Sequence, residues 1–308
     1  MADNNKNPHE CPDTGHEWDG ITELTNPPPR WWVIALYLSG LLVLVYFILY
    51  PSLPLVTGST KGVLGWTMIK EYKEDLAEVE ARRAPYEDKL AAMTAEEILA
   101  DEEMRNYAIG SSKVLYGDNC AACHGTGGQP HTGSGYPILA DDDWLYGGTV
   151  NKIVETLAKG RQGMMPAHAT MLSEEEVDGL VQFVINSSNN EATDAGWKLY
   201  NEKGCVACHG ADAKGVQMLG SANLTDKIWR FSGEETEIRH TILHGVNDMN
   251  DPQTRIAVMP GWNEKLAVRL EAEEWDEEPE YEGTETQRLS ETEIKKLAVY
   301  VHQLGGGQ

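Results

Sequence analysis

Cys120-Ala121-Ala122-Cys123-His124 and Cys205-Val206-Ala207-Cys208-His209 decide how this chain is read. Two cysteines three positions apart lie within one helical turn, and a histidine directly after the second is the pattern of covalent c-type haem attachment. A disulfide framework or a zinc site is the plainer reading of paired cysteines. The histidine in each motif, and the use of four of the chain's five cysteines in two such motifs, argue against both. Each cysteine pair is expected to form two thioethers, with the adjacent histidine held on one face of the ring. The expectation is therefore two covalently attached haem c groups, on Cys120, Cys123 and His124 and on Cys205, Cys208 and His209.

Outward from the motifs the sequence repeats itself. Leu115-Tyr116 precedes the first motif and Leu199-Tyr200 the second; Trp144 and Trp229 follow; Met165-Pro166 and Met259-Pro260 come next. Each copy then closes on a capped amphipathic helix. Ser173 with Glu176 and Ser290 with Glu293 have capping-box spacing, and Val177, Leu180, Val181 and Val184, or Ile294, Leu297 and Val301, recur at helical intervals. A covalent haem supplies the apolar core that units this short would otherwise struggle to assemble. The boundary is read at the polar stretch Ser187-Ser188-Asn189-Asn190; each copy is taken as self-contained because the repeat is complete in each, and the sequence leaves open whether each distal methionine serves its own or the other domain's haem.

Methionine is the usual sixth ligand in electron-transfer cytochromes c and raises the reduction potential. Met165 lies 41 residues after His124 and Met259 lies 50 after His209, and each is followed by a proline that stiffens the loop. Met164 is the neighbouring competitor, and Met171, Met218 and Met249 are further loop candidates. The matched Met-Pro context selects Met165 and Met259, so the expected iron ligands are His124, Met165, His209 and Met259. His131, His168, His240 and His244 are the alternatives for bis-histidine ligation. The second nitrogen of a ligating histidine normally donates to a carbonyl. Tyr136-Pro137-Ile138-Leu139 resembles the proline-containing loop that supplies it in cytochromes c, and the equivalent stretch of the second copy is Ser221-Ala222-Asn223-Leu224, with alanine in place of proline. Arg161 is a candidate partner for a haem propionate, or a solvated surface arginine.

Trp31 to Tyr50 is an uncharged run long enough, at about 30 Å as a helix, to cross a bilayer core. Trp31, Trp32, Tyr46 and Tyr50 sit towards its ends as interfacial aromatics do. The segment before it carries Asp3, Glu10, Asp13, Glu17, Asp19 and Glu23, unlike the short basic start of a signal peptide, so an uncleaved anchor is expected. Lysines and arginines on its two sides are nearly balanced. Thioether attachment of haem c in bacteria takes place outside the cytoplasmic membrane, which puts both motifs in the periplasm and residues 1–30 in the cytoplasm. His9, Cys11 and His16 cluster in that segment, short of a metal ligand set.

The expected fold is mainly α: a cytoplasmic N-terminal segment (1–30), one transmembrane helix (31–50), a linker with exposed helical segments (51–105), and two tandem cytochrome c domains (106–188 and 193–304). An acidic insertion, 263–288, interrupts the second copy as a solvated loop or a docking patch. The formal net charge of −24 disfavours nucleic acid and favours basic partners.

Three segments resemble the di-haem c-type subunit (subunit III) of cbb3-type cytochrome c oxidases. They are Gly15-His16-Glu17-Trp18-Asp19-Gly20-Ile21 with Asn26-Pro27-Pro28-Pro29-Arg30-Trp31-Trp32; Tyr50-Pro51-Ser52-Leu53-Pro54 with Gly62-Val63-Leu64-Gly65-Trp66; and the paired haem motifs with their Met-Pro loops. The resemblance implies a bacterial inner-membrane, single-pass subunit. It would take electrons from a donor cytochrome c and pass them through a mono-haem c subunit to the haem-copper catalytic subunit. That subunit would reduce oxygen to water and pump protons, with no catalytic residue on this chain. A stand-alone anchored di-haem carrier, and a di-haem peroxidase or gas sensor, are the competing functions.

Overall fold

Asp19-Gly20 sits where the chain first folds back on itself. Both residues have positive φ (50° and 86°), the conformation a two-residue hairpin turn requires. They join β1 (Asp13–Trp18) to β2 (Ile21–Leu24), an exposed antiparallel pair. The computed structural model describes residues 13–56, 58–131, 133–263, 265–267 and 285–308. His9 and Cys11, and the carboxylate run at the centre of the 263–288 insertion, lie outside them.

The chain divides into two units, residues 1–82 and 83–308. In the first, α1 (Arg30–Leu49) is the apolar helix the sequence announces, with mean hydropathy 2.5 and no buried residue. Pro29 precedes it, which suits a helix start because proline has no N–H to leave unpaired. Its last carbonyls are taken up by chain that returns from the short hairpin of β3 (Pro54–Leu55) and β4 (Gly58–Ser59): Val63 N donates to Ile48 O (2.9 Å) and Leu64 N to Leu49 O (3.1 Å). Gly62 makes this return possible, since a Cβ there would run into the Leu49 carbonyl. Tyr50 stacks on Tyr46 and meets Trp66 edge-on, clustering aromatics at this end of the span.

The division between units falls within α2 (Met68–Ala92), whose last turn already belongs to the core of the second. There follow α3 (Ala95–Ala100), α4 (Glu102–Asn119), α5 (Ala121–His124), α6 (Val150–Lys159), α7 (Glu174–Ser188), α8 (Asp194–Glu202), α9 (Val206–His209), α10 (Glu235–His244), the small pair β5 (Lys265–Ala267) and β6 (Glu285–Gln287), and α11 (Glu291–His302). Capping boxes open α7 and α11 at Ser173 and Ser290, as the sequence spacing indicates, and another opens α3 at Thr94.

Two readings need correction. The 71–105 stretch is not exposed throughout: Leu90, Ile98 and Met104 are fully buried. The Lys295 ammonium donates to the carbonyls of Leu90, Ala91 and Met93, capping the end of α2. Ser187 and Ser188 are not linker either. Both are buried in the last turn of α7, and the link to α8 is only residues 189–193.

The packing also departs from two self-contained copies. One core joins α3, from the stretch before the first copy, and α4 and α6 to α11 of the second copy, with Tyr116 against Tyr300. The other joins α8 and α10 of the second copy to α7 of the first, with Phe183 against Trp197 and Tyr200. The closing helices are interchanged. The reason lies in the short link: α7 and α8 can only form a helical hairpin, which packs neighbours antiparallel.

Candidate functional site

Each motif forms a short helix, α5 or α9, that begins at its first cysteine and ends at a glycine of positive φ, Gly125 or Gly210. The turn is held from below by a buried tyrosine: Tyr116 Oη donates to Gly125 O (2.9 Å) and Tyr200 Oη to Gly210 O (2.6 Å). Burial pushes both phenols up to about 12, so they stay donors. Cys120 is buried and its thiol is pushed up by that burial to about 11. Cys205 is half-buried and shifts the same way.

The two histidines sit as the sequence indicates. His124 Nδ1 lies 3.0 Å from Pro137 O and His209 Nδ1 lies 2.9 Å from Ala222 O. A carbonyl accepts only, so Nδ1 carries the proton and Nε2 keeps its lone pair. Burial lowers the proton affinity of both rings; the carbonyl opposes it, and the charge of Arg230 at His124, or of His168 at His209, adds to it. Alanine at 222 serves as well as proline at 137, because only the carbonyl is used.

Among the methionines the structure discriminates sharply. Met164, Met171, Met218 and Met249 are exposed, Met218 by 89%. Met165 and Met259 are half-buried, each against one of the two cores, but not the core of its own copy. Met259 packs with the core of Cys120, and Met165 with the core that includes Cys205. Backbone bridges fix the same arrangement. Met259 and Arg161 exchange N–H···O bonds of 2.9 Å at the end of α6, and Met165 and Val246 do so at the end of α10. Gly160 and Gly245, which end those helices with φ of 71° and 68°, must lack a side chain. A Cβ on either would collide with the carbonyl of the passing methionine.

Sequence reasoning missed the residues that tie these strands down. Asn247, 4% exposed, reaches both methionine segments. Asp248 accepts from Ala167 N (2.8 Å), and that bond first among several keeps its carboxyl below the usual range. Arg161 and Arg255, each four residues before a Met-Pro, donate Nε to Thr156 and Thr241 and lie 4.6 Å over the rings of Tyr146 and Phe231. Both are also paired, to Glu155 and Glu237. Arg230 differs. It is half-buried, donates Nε to Gly135 O (2.9 Å), and has no ion pair with a described carboxylate.

The site residues fit a haem. The first cysteine of each motif shares a core with one methionine, and the histidine that ends each motif keeps an unprotonated Nε2. Among the described residues, buried polar atoms without a partner include His168 Nδ1, beside His209, His240 Nδ1 in α10, and Asp141 Oδ2 in the loop after Pro137. Of the alternative histidine ligands, His131 is exposed and His244 is engaged by Asp251 at 3.0 Å.

Comparison with known proteins matches three stretches. The N-terminal domain of cytochrome oxidase-cbb3, FixP, matches residues 10–57. Cytochrome c oxidase, cbb3-type, subunit III matches residues 108–184, and cytochrome c matches residues 193–305. The cbb3-type cytochrome c oxidase subunit FixP of Azorhizobium caulinodans is 38% identical, over 96% of this chain and 93% of its own length. The FixP subunit of Bradyrhizobium diazoefficiens is 37% identical, over 96% and 95%. The subunit CcoP of an Azospirillum species is 34% identical over the same shares.

Proposed function

The chain belongs to the cbb3-type cytochrome c oxidase subunit III family, and we propose that its electron-transfer role runs through two covalently attached haem c groups. One would be held by Cys120 and Cys123, with His124 and Met259 as axial ligands. The other would be held by Cys205 and Cys208, with His209 and Met165. The observation that carries this reading is that each motif shares a core with the Met-Pro methionine of the other copy. Bound haem supplies a one-electron iron couple whose potential a methionine ligand raises. The chain's own residues set its surroundings. Pro137 and Ala222 fix the ring tautomers, Gly160 and Gly245 let the methionine strands approach, and Arg230 offers its charge to a haem carboxylate.

In this reading α1 anchors the chain in the bacterial inner membrane. Residues 1–30 are cytoplasmic and the haem-bearing unit is periplasmic, where thioethers are made. Electrons enter from a donor cytochrome c, whose basic face suits a net charge of −24, and leave through a mono-haem c subunit to the haem-copper subunit. Oxygen reduction and proton pumping belong to that subunit. Two haems per chain should appear by pyridine haemochrome assay. Met259→Ala should lower the potential of the His124 haem and Met165→Ala that of the His209 haem, with attachment intact in both. Unchanged potentials would defeat the ligand assignment. A complex purified in mild detergent without haem b or copper would defeat the oxidase role.

A further inference from the structure

Asn247 lies immediately beyond α10, in left-handed backbone (φ 54°) and almost wholly buried. Its side-chain amide makes three bonds. Nδ2 donates to Gly163 O (2.6 Å) and to Ala257 O (3.0 Å), and Oδ1 accepts from Ala257 N (2.8 Å). Gly163 and Ala257 each stand two residues before a Met-Pro methionine, Met165 in one case and Met259 in the other. One planar group thus grips both methionine strands at the same register. Its neighbours complete the hold on one of them: Val246 exchanges both backbone bonds with Met165, and Asp248 accepts from Ala167 N. The Asn247 backbone N–H donates to Arg255 O (2.8 Å), on the strand leading to Met259.

We propose that Asn247 is a positioning residue for both methionines, coupling the sixth-ligand bonds of the two haems through one side chain. The inference rests on the axial assignment above. A ligand must be held to within about 0.5 Å of its productive place, and strand segments without a sheet around them have little else to fix their spacing. A buried, hydrogen-bonded amide is costly to disturb, because the carbonyls left behind lose a donor. Substituting Met165 or Met259 affects one haem; substituting Asn247 reaches both strands at once.

The test uses the full-length haem-loaded chain in detergent. Asn247→Gly removes the side chain and keeps the left-handed backbone free of strain. Asn247→Asp keeps the shape and the acceptor but turns both donor bonds into oxygen–oxygen contacts. Haem content should stay at the unsubstituted value in both variants, because cysteines and histidines are untouched. The charge-transfer band of methionine-ligated ferric haem should weaken for both haems, and both potentials should fall by the equivalent of at least tenfold in the reduction constant, about 59 mV for a one-electron couple. Unchanged bands, or a change at one haem only, would overturn the proposal. If neither variant accumulates, denaturant titration of the unsubstituted chain decides. Common control predicts that the two methionine bands are lost at one midpoint, and loss at separate midpoints would overturn it. Met165→Ala and Met259→Ala run alongside separate the cases. If they leave the potentials alone, the axial assignment has failed; if they act and Asn247 does not, only the coupling has.

Discussion

Leu297→Ala tests the interchange of closing helices directly. Leu297 is 1% exposed and lies in α11, in one cluster with Met104, Ala108 and Tyr116 of α4 and with Val150, Ile153 and Leu157 of α6. Removing a buried leucine side chain costs about 2–5 kcal/mol, the transfer loss plus the cavity left behind. A value of about 3 kcal/mol is roughly two powers of ten in a local opening constant. Amide hydrogen exchange on the haem-loaded full-length chain reads that constant segment by segment. Protection in α4 and α6 should fall about a hundredfold, while α8 and α10 stay within about 0.5 kcal/mol, the range expected for sites that share no partner. Leu180→Ala, at a position 3% exposed in α7, should give the mirror pattern, with α8 and α10 loosening. If Leu297→Ala loosened α8 and α10 as much as α4 and α6, the interchange would be wrong.

Gly160→Ala should weaken the methionine bond of the His124 haem, because its Cβ would meet the Met259 carbonyl, and should leave the His209 haem's band intact; visible spectra of the ferric chain check this. Asp143→Asn should stabilise the chain at neutral pH. Burial first, then the charges of Asp226, Asp141 and Asp142, raises the Asp143 carboxyl to about 6 from 3.8. A raised folded value favours the protonated form, so the penalty is absent below about 3.8 and fully present above about 6. The melting-temperature gain of the variant should therefore appear between those values and vanish near pH 4. Glu87→Ala should destabilise by about 3–5 kcal/mol, because it strands the buried Lys296 ammonium, which now lies 2.8 Å from the Glu87 carboxylate. Adding Lys296→Met should recover much of that loss in thermal unfolding.

The short helices of the two cysteine-histidine motifs, the carbonyl partners of both histidines, the long apolar helix and the capping boxes at Ser173 and Ser290 were all legible, because each is a local pattern with one physical meaning. Met165, half-buried beside the proline that follows it, and Met164, exposed, differ in the direction the Met-Pro context suggests. Burial from Leu90 to Met104 was not legible, since a helix rich in Glu, Lys and Ala hides a narrow apolar stripe among solvated residues. Asn247 gave no signal, because a buried asparagine at positive φ looks in sequence like any turn residue.

The interchange is the deeper case. Val177, Leu180, Val181 and Val184 on α7 and Ile294, Leu297 and Val301 on α11 present the same apolar period, so either helix could close either core. Periodicity names the face of a helix and is silent about its partner. The deciding fact was the length of the link, residues 189–193, which commits α7 to α8. With α7 taken, the surface of α4 and α6 is left to α11, and the methionine strand ahead of each closing helix travels with it. The functional consequence is that copy and haem must be counted separately. On the ligand assignment proposed above, a substitution of Met165 or in α7 would act on the haem of the second motif, and one of Met259 or in α11 on the haem of the first. Because each core draws residues from both copies, cutting the repeat between them would, on the proposed assignment, take the sixth ligand from both haems.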